Sequence, residues 1–289
     1  MNNLKESRAA SFIIMTIIYI AAFFVGWAVY RWSASTPWNE LWRLFVADVA
    51  GTLFVWFFGL IFRNVSVYDP YWSVAPPVML TAVAYQAGSC NSATLLLLAA
   101  IWFWGIRLTG NWAYTFRNLN AEDWRYTKYR KELQPSFFQI VNLFGLNMMP
   151  TVVVFLVMIP GFKVIETNAD ANLFTWMAFL LCVASALLQL VADTQRHRFV
   201  KARLGRVCNV GLWKHGRHPN YLGEIMMWWG VYLLFLSVTH DIAHNWHWLI
   251  GAVANTCLFC FISIPLMEKR QLANKPEYAE YKKNTRLFL

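Results

Sequence analysis

The stretch Asn209-Val-Gly-Leu-Trp-Lys-His-Gly-Arg-His-Pro-Asn-Tyr-Leu-Gly-Glu-Ile-Met-Met-Trp-Trp-Gly230 passes from a polar loop into an apolar helix. The helix is predicted to begin near Asn220. Arg217 and His218 lie just before it, and Glu224 lies one turn inside. Charged groups at the mouth of a membrane helix are energetically costly and usually functional. The stretch therefore predicts a membrane protein that handles a polar or anionic ligand at this helix start.

The composition supports a membrane protein. The 289 residues are 58% hydrophobic and 14% charged, whereas a soluble domain carries about 25% charged residues. Sixteen Trp and twelve Tyr are typical of a chain with two membrane interfaces. We predict an all-α, polytopic membrane helical bundle that forms a single domain (1–289). Its N-terminal helices occupy 1–62, and the main region follows at 63–289.

Eight apolar segments have the length, or nearly the length, of about 20 residues that a bilayer requires. They are 11–30, 43–62, 72–87, 93–116, 137–159, 172–194, 220–238 and 247–266. The third segment is short and contains Pro76 and Pro77, which makes it a kinked or partial span. The sequence therefore predicts seven to eight transmembrane helices.

The formal net charge of +10 is unevenly placed along the chain. If all eight segments cross, 21 of the 25 Lys and Arg residues fall on one side. The positive-inside rule then places both termini and the basic loops in the cytoplasm, and we expect a bacterial inner membrane. If the third segment does not cross, the N-terminus lies on the other side.

The same charges bear on the partners of the protein. No basic stretch lies on a separable soluble domain, so nucleic acid is not expected as a partner. Contact with anionic membrane lipid is expected, and no obligate protein partner is predicted.

Gln189, Asp193 and Arg196 recur at helical spacing near the end of the sixth segment, so they share one helix face. A carboxylate this close to the membrane requires a partner, which Arg196 or Arg217 could supply. The residues alone are compatible with a structural ion pair or with a ligand site.

The start of the seventh segment is a stronger candidate for a ligand site. Pro219 suits the first turn of a helix, whose free backbone N–H groups attract phosphate or carboxylate. Gly223 permits close approach of a ligand or of another helix. A purely structural helix cap would need only one of these groups, so we predict a binding site here.

A third candidate is Tyr68-Asp69-Pro70-Tyr71-Trp72, where a carboxyl group and two phenols lie at the start of a span. Apolar surroundings would raise the pKa of Asp69, so that it could hold or relay a proton near neutral pH. Asp69 could equally cap the helix, and the two interpretations have similar weight.

His240, His244 and His247 have a spacing that resembles a metal site, but they form a single cluster. We predict no metal.

Several elements together resemble the steroid 5α-reductase superfamily, most closely its bacterial branch, over roughly 60–289. They are Gly211-Leu212-Trp213, Arg217-His218-Pro219-Asn220-Tyr221 with Gly223-Glu224, Asp193-x-Gln195, Met267-Glu268-Lys269-Arg270 and Pro276-Glu277-Tyr278 with Tyr281. The Arg-His-Pro-x-Tyr element is shared with isoprenylcysteine carboxyl methyltransferases and sterol reductases.

The resemblance implies an NADPH-dependent reduction of a conjugated enone, such as a 3-oxo-Δ4-steroid. It also implies that cytoplasmic loops close a cofactor cavity. The helix-start residues and the basic loops together give the predicted cofactor-binding set, which is Asp193, Arg196, Arg206, Arg217, His218, Asn220, Tyr221, Glu224, Tyr278 and Lys282.

The resemblance also aligns Asp69 with the family's catalytic acid, which acts there with a Tyr on the following helix. Trp104 stands at that Tyr position in this chain, and Tyr68 and Tyr71 are the nearest substitutes for the proton donor. Of these, Tyr68 is predicted as the second catalytic residue. Tyr71, Trp72 and Trp104 are predicted to contact substrate.

Two other functions remain open. One is a methyltransferase that uses S-adenosylmethionine on an isoprenylcysteine-type or other apolar substrate. The other is a transporter or lipid-binding protein, which would need polar residues at mid-membrane.

Overall fold

The computed structural model describes residues 5–202 and 205–289. Over these residues the chain is helical, with one isolated parallel β-bridge between Gly216 and Arg286 and no strand. The all-α prediction is confirmed.

The helices, numbered along the chain, are α1 (Arg8–Trp32), α2 (Glu40–Phe62), α3 (Tyr71–Ala87), α4 (Ser92–Thr115), α5 (Trp124–Glu132), α6 (Pro135–Ile140), α7 (Met149–Thr167), α8 (Leu173–Ala202), α9 (Leu212–His215), α10 (Pro219–Thr239), α11 (Ile242–Asn245), α12 (Ile250–Cys257), α13 (Ile264–Asn274) and α14 (Tyr278–Asn284). A π-helical segment, Val141–Met148, joins α6 to α7, and a second one, Leu258–Ser263, joins α12 to α13.

Within the described residues, seven helices are long and apolar enough to cross a membrane. They are Arg8–Ser35, Glu40–Phe62, Ser92–Thr115, Pro135–Thr167, Leu173–Ala202, Pro219–Thr239 and Ile242–Asn274. Many of their large apolar side chains, such as Ile13, Phe24 and Leu180, point outward and are more than half exposed. Lipid is the environment that suits such a surface, so the chain is an integral, multi-pass membrane protein.

The short helix α3 is not among these seven, yet the loop contacts favour its crossing. Asn64 Nδ2 donates to the Leu119 carbonyl at 2.6 Å, and Val65 N donates to Glu122 Oε1 at 2.9 Å. The loop before α3 and the loop after α4 therefore lie on the same side of the membrane. Because α4 crosses once, α3 must cross in the opposite direction. At about 1.5 Å per residue, its 17 residues cover most of the hydrocarbon core. This favours the eight-span alternative.

The residues fall into two compact units. Unit 1 comprises Met1–Val78 and Leu108–Phe155, and unit 2 comprises Met79–Arg107 and Leu156–Leu289. In unit 1, an apolar cluster that includes Met15, Val67 and Leu119 holds the loop before α3 in place. The prediction of a single domain stays a prediction.

In unit 2, α8 and α10 pack closely because α10 presents two glycines to α8. A Cβ atom at Gly223 would lie 2.7 Å from the Ser185 carbonyl oxygen and 2.5 Å from Gln189 Cγ. A Cβ atom at Gly230 would lie 2.5 Å from Cys182 Sγ. Small residues allow membrane helices to approach in this way, and the approach brings Gln189 against the start of α10.

We expect Gly223→Ala to lower the free energy of unfolding by about 1–3 kcal/mol, because the added methyl group meets a backbone carbonyl that cannot rotate away. The measurement is the unfolding midpoint of the purified protein in detergent. Gly110→Ala is the matched control, since a Cβ atom there meets nothing within 4 Å. Equal midpoints for the two variants would contradict this packing.

Candidate functional site

A buried guanidinium organises the polar residues of unit 2. Arg107, near the end of α4, is only 8% exposed. Its Nη1 lies 3.1 Å from Asp193 Oδ2, and its Nη2 donates to Gln189 Oε1 and lies 4.0 Å from Glu224 Oε2. We call Arg107, Gln189, Asp193 and Glu224 the arginine centre. A buried charge requires such partners, because leaving it unpaired costs several kcal/mol.

Two tryptophans bind the carboxylate of Glu224. Trp104 Nε1 donates to Oε2 and Trp228 Nε1 donates to Oε1, both at 2.9 Å. The two indole rings pack edge to face, with centroids 5.0 Å apart. The predicted substrate contact Trp104 and the predicted cofactor contact Glu224 thus bind each other, deep in the unit.

The start of α10 extends the arginine centre towards solvent. Asn220 Nδ2 donates to Asp193 Oδ1 at 3.1 Å, and both side chains are only partly buried. The ring of Tyr221 stacks on that of His218 with an interplanar angle of 8° and centroids 5.3 Å apart. The structure therefore brings Asp193 and Asn220 into contact and places Tyr221 beside His218, while the cofactor role of these residues stays a prediction.

Two donors in the arginine centre lack acceptors. Arg107 Nε and Gln189 Nε2 are buried and have no hydrogen-bond partner among the described residues. A buried donor without an acceptor costs about 1–3 kcal/mol, so native proteins rarely retain one without a use. Both nitrogens are therefore donors whose acceptors the described residues do not supply.

A second charged cluster ties the C-terminal tail to the loop before α10. Glu268 accepts from Arg217 Nε at 2.8 Å and from Lys282 Nζ at 2.7 Å, and it lies 3.2 Å from His218 Nε2. Arg217 also donates to the carbonyls of Lys282 and Thr285. The predicted residues Arg217, His218 and Lys282 thus meet at Glu268 and hold the tail.

His218 is neutral at physiological pH. Burial lowers its pKa to about 4, although the hydrogen bond to Glu268 acts in the opposite direction. Its backbone N–H donates to the Leu287 carbonyl at 3.2 Å, which fixes the tail beside the start of α10.

Three further predicted cofactor residues lie in unit 2: Arg196 on α8, Arg206 in the loop that follows it, and Tyr278 at the start of α14. The guanidinium carbon of Arg196 lies 5.5 Å from the centre of the Trp213 ring. Tyr278 is buried and packs against the ring of Tyr281. Arg206 is exposed and pairs with Glu277 at 3.3 Å.

A cavity of about 790 Å³ opens between these loops and the tail of unit 2. Its wall carries positive and negative side chains. Arg206 and Lys214 come from the segment between α8 and α10, and Glu277 and Glu280 come from the C-terminal tail. Tyr281 lines the cavity, and its hydroxyl donates to the backbone carbonyl of Trp213 at 2.5 Å.

In unit 1, Asp69 forms a pair with a phenol that the sequence analysis did not consider. Tyr126 Oη, on α5, donates to Asp69 Oδ1 at 2.6 Å. Burial raises the pKa of Asp69 to about 6, while nearby Arg125 and the Tyr126 hydrogen bond act in the opposite direction. The pair can hold a proton close to neutral pH and donate a hydrogen bond to a carbonyl oxygen.

The other three predicted residues of unit 1 have separate partners. Tyr68 Oη is 2.7 Å from Thr151 Oγ1, and Tyr71 Oη donates to Asp48 Oδ1 at 2.8 Å. Trp72 packs against the apolar cluster of unit 1. Neither Tyr68 nor Tyr71 binds Asp69 in the way that Tyr126 does.

Four residues of these sites were missing from the predicted set, although the sequence held a signal for two of them. Arg107 is a charge inside an apolar helix, which is itself a sign of function. Gln189 shares a helix face with Asp193. Glu268 lies in a tail element that carries the resemblance, although the sequence did not show its partners. The hydrogen bond of Tyr126 joins parts of the chain that are far apart in sequence, and no local pattern marks it.

The fold and its polar centres define a class of helical membrane proteins with buried ionic sites at the helix ends. Within that class, the chain belongs to the family described as "Protein of unknown function (DUF1295)", whose model matches residues 53–285. An uncharacterized protein of Schizosaccharomyces pombe is 25% identical over 213 residues, which cover 64% of this chain and 61% of that relative. No solved structure matches the chain.

We expect Tyr126→Phe to raise the pKa of Asp69 above about 6, because it removes a hydrogen bond that favours the carboxylate. Carbon-13 NMR of labelled Asp carboxyl groups, assigned with Asp69→Asn, would follow the titration. Tyr129→Phe, one turn further along α5, is the control and should leave the midpoint in place. An unchanged or lower midpoint in Tyr126→Phe would show that the phenol does not support Asp69.

Proposed function

We propose that this protein is a membrane enzyme that uses NADPH to reduce the carbon–carbon double bond of a conjugated enone, such as the 4,5 bond of a 3-oxo-Δ4-steroid. The observation that carries the proposal is the arginine centre, in which two buried donors lack acceptors beside the partly buried helix start at Asn220. A buried donor without an acceptor calls for an explanation, and we propose that a bound ligand supplies the acceptors.

The residues of unit 2 fit a dinucleotide. Gln189 Nε2 and Arg107 Nε are suited to oxygens of an amide or a phosphate, and Asp193 and Asn220 offer both acceptor and donor atoms at the rim. Arg206 and Lys214, at the cavity of the tail, are suited to phosphate groups. NADPH, when bound, would supply the hydride, while the protein would supply orientation and electrostatics.

The Asp69–Tyr126 pair is suited to polarising the substrate carbonyl. Hydride addition to the β-carbon of an enone places negative charge on the carbonyl oxygen. A phenol and a protonated carboxyl group can donate hydrogen bonds to that oxygen, and one well-placed donor lowers the barrier by about 3–4 kcal/mol. We assign to Tyr126 the role that a Tyr on the following helix has in the steroid 5α-reductase superfamily.

The sequence resemblance supports the same reaction. The helix-start element Arg217-His218-Pro219-Asn220-Tyr221 and the acid at Asp69 both match that superfamily. The apolar outer surface of the spans suits a substrate that enters from the lipid, such as a steroid. We further propose that the basic loops and the C-terminus face the cytoplasm of a bacterial inner membrane.

Methyl transfer from S-adenosylmethionine is the second candidate, because its enzymes share the Arg-His-Pro-x-Tyr element. The paired acid and phenol at Asp69 favour the reductase, since transfer of a methyl group to a thiolate or carboxylate needs no donor to a developing oxyanion.

We expect the purified protein to oxidise NADPH in the presence of testosterone or progesterone and to saturate the 4,5 double bond. Asp69→Asn should lower kcat about 100-fold with little change in the KM for NADPH, because it removes a proton donor from the reacting carbonyl. The loss of NADPH absorbance measures kcat and the KM for NADPH, and mass spectrometry of the steroid detects the saturated product. Glu132→Gln, an exposed carboxyl-to-amide change on α5, is the control.

The cofactor site has its own test. Asn220→Ala should weaken NADPH binding about 10-fold, which corresponds to the loss of about 1.4 kcal/mol, while exposed Asn120→Ala should not. Fluorescence titration with NADPH measures the affinity. Transfer of labelled methyl groups from S-adenosylmethionine, with no consumption of NADPH, would overturn the reductase in favour of the second candidate.

The acid form of Asp69 is the form that donates a proton, and its pKa is about 6. We therefore expect kcat to be highest below about pH 6 and to fall as the pH rises through that value. Tyr126→Phe should move the fall to higher pH, in line with the pKa change given above. A pH profile that rises through this range would exclude Asp69 as the donor.

A further inference from the structure

The carboxylate of Glu277 binds two donors at the wall of the unit 2 cavity. Its Oε1 accepts from Arg206 Nε at 3.3 Å and from the backbone N–H of Val207 at 3.0 Å. All three residues line the cavity. A guanidinium and a backbone N–H group are donors that proteins use to bind phosphate oxygens. One carboxylate oxygen of the protein therefore occupies a position that suits a phosphate oxygen.

Further charged groups surround this position. Lys214 lines the same cavity and forms no ion pair within 5–202 and 205–289. Lys275 Nζ donates to the Arg206 carbonyl at 2.7 Å, which places a third cation beside the pair. Glu280 is the second carboxylate at the cavity wall. These three cations and two carboxylates leave a net charge of +1, which favours an added anion.

The Arg206–Glu277 ion pair can separate without loss of the tail. The two side chains are 72% and 43% exposed, and ion pairs this exposed contribute little to stability because water screens them. Lys282 holds the following part of the tail through its own ion pair with Glu268 at 2.7 Å. Glu277 can therefore turn into solvent while the tail stays in place.

The cavity has the size and lining of a ligand site. Its volume of about 790 Å³ falls within the range of about 300–1,000 Å³ that is usual for small-molecule sites. Its wall also carries the aromatic rings of Phe199 and Tyr281 and the amides of Asn209 and Asn284. Aromatic rings can stack on a nucleotide base, and amides can bind its polar edge. An ion pair that only joined the loop to the tail would not need such a space.

We infer that the cavity is a phosphate site and that Glu277 competes for it with the ligand. A phosphate monoester carries a charge of about −1.5 to −2 at pH 7 and has three acceptor oxygens. It can bind Arg206, the Val207 N–H and Lys214 together, whereas the Glu277 carboxylate carries a single charge and binds two of these donors. Phosphate displaces Glu277, and the competition lowers the affinity of the site for phosphate.

The identity of the ligand rests on the proposed function. NADPH differs from NADH only by a phosphate monoester on the adenosine ribose, at the end of the molecule far from the nicotinamide. If the amide end of the cofactor lies at the arginine centre, the adenosine end is the part that is free to reach the cavity of the tail. Glu277 then weakens the binding of NADPH and not that of NADH.

The first experiment needs no turnover. Calorimetric titration compares adenosine 2′,5′-bisphosphate with adenosine 5′-monophosphate, which lacks only the 2′-phosphate. The wild type should bind the bisphosphate about 10-fold more tightly, and Arg206→Ala should remove the difference. Lys283→Ala is the matched control, because it removes one positive charge from an exposed position of α14 outside the cavity. It should keep the wild-type difference. Equal binding of the two nucleotides by the wild type would overturn the phosphate site.

A second pair of variants tests the competition. Glu277→Ala should raise the affinity for the bisphosphate about 3- to 5-fold, which is the upper range for the loss of an exposed ion pair. Glu280→Ala removes the same charge from the same wall but frees neither Arg206 nor the Val207 N–H, so it should raise the affinity less than about 2-fold. Equal effects of the two variants, or a lower affinity in Glu277→Ala, would overturn the competition.

The same titration in lipid nanodiscs separates a nucleotide from a lipid headgroup. Phosphatidic acid carries a phosphate monoester, whereas phosphatidylglycerol is anionic but carries a diester. Equal affinity for the bisphosphate in nanodiscs of the two lipids supports the nucleotide. A loss of affinity that requires both phosphatidic acid and Arg206 would assign the site to lipid and overturn the nucleotide.

The NADPH and testosterone assay connects the site to the reaction. Arg206→Ala should raise the KM for NADPH about 10-fold and leave the KM for NADH and kcat as they are. An inactive wild type that still prefers the bisphosphate, through Arg206, would overturn the reductase and leave the phosphate site established. Reduction that uses NADPH and NADH equally well, with equal binding of the two nucleotides, would overturn the phosphate site while the reductase stands.

Discussion

The charge of Arg107 is the constraint on which the organisation of unit 2 depends. A guanidinium inside an apolar helix is tolerated only when carboxylates and amides surround it. Asp193 and Glu224 supply negative charge, and Gln189 supplies a hydrogen-bond acceptor. The helices α4, α8 and α10 must therefore meet at Arg107. The glycines of α10 make that meeting possible, because they bring α8 within reach of the helix start. The position of Asn220 follows from the same contact, since it donates to Asp193 Oδ1, the carboxylate oxygen that Arg107 Nη1 does not bind.

The arginine centre also explains the tryptophan at position 104. A phenol there would offer one donor that can rotate, whereas the indole fixes one N–H on Glu224 and fills the surrounding space. With Trp228 on the other oxygen, the carboxylate is fully bound and cannot turn towards another partner. The chain thus uses this position for the integrity of unit 2, and a phenol on α5 takes the place beside the acid of unit 1.

Unit 1 applies the opposite electrostatic principle. Its carboxyl groups at positions 48 and 69 bind phenols rather than forming close salt bridges with Lys or Arg. Unit 2 instead surrounds the carboxyl groups of Asp193 and Glu224 with an arginine and with amide and indole N–H donors.

The sequence by itself determined the helical membrane architecture and the approximate spans, because apolar periodicity is a local property. It also marked Asp193, Asn220, Tyr221 and Glu224 as candidate site residues, and their role stays a prediction. It also indicated that the segment around Pro76 and Pro77 was ambiguous, and loop contacts were needed to favour its crossing. Only the tertiary structure decided that Arg107 contacts Gln189, Asp193 and Glu224. It also decided that Glu268 contacts Arg217, His218 and Lys282. Likewise, Tyr126 rather than Tyr68 binds Asp69. Apart from Glu268 and Lys282, which are close in sequence, these pairs join residues about 50 to 120 positions apart. Such pairings depend on helix packing, which the order of residues along one segment does not specify.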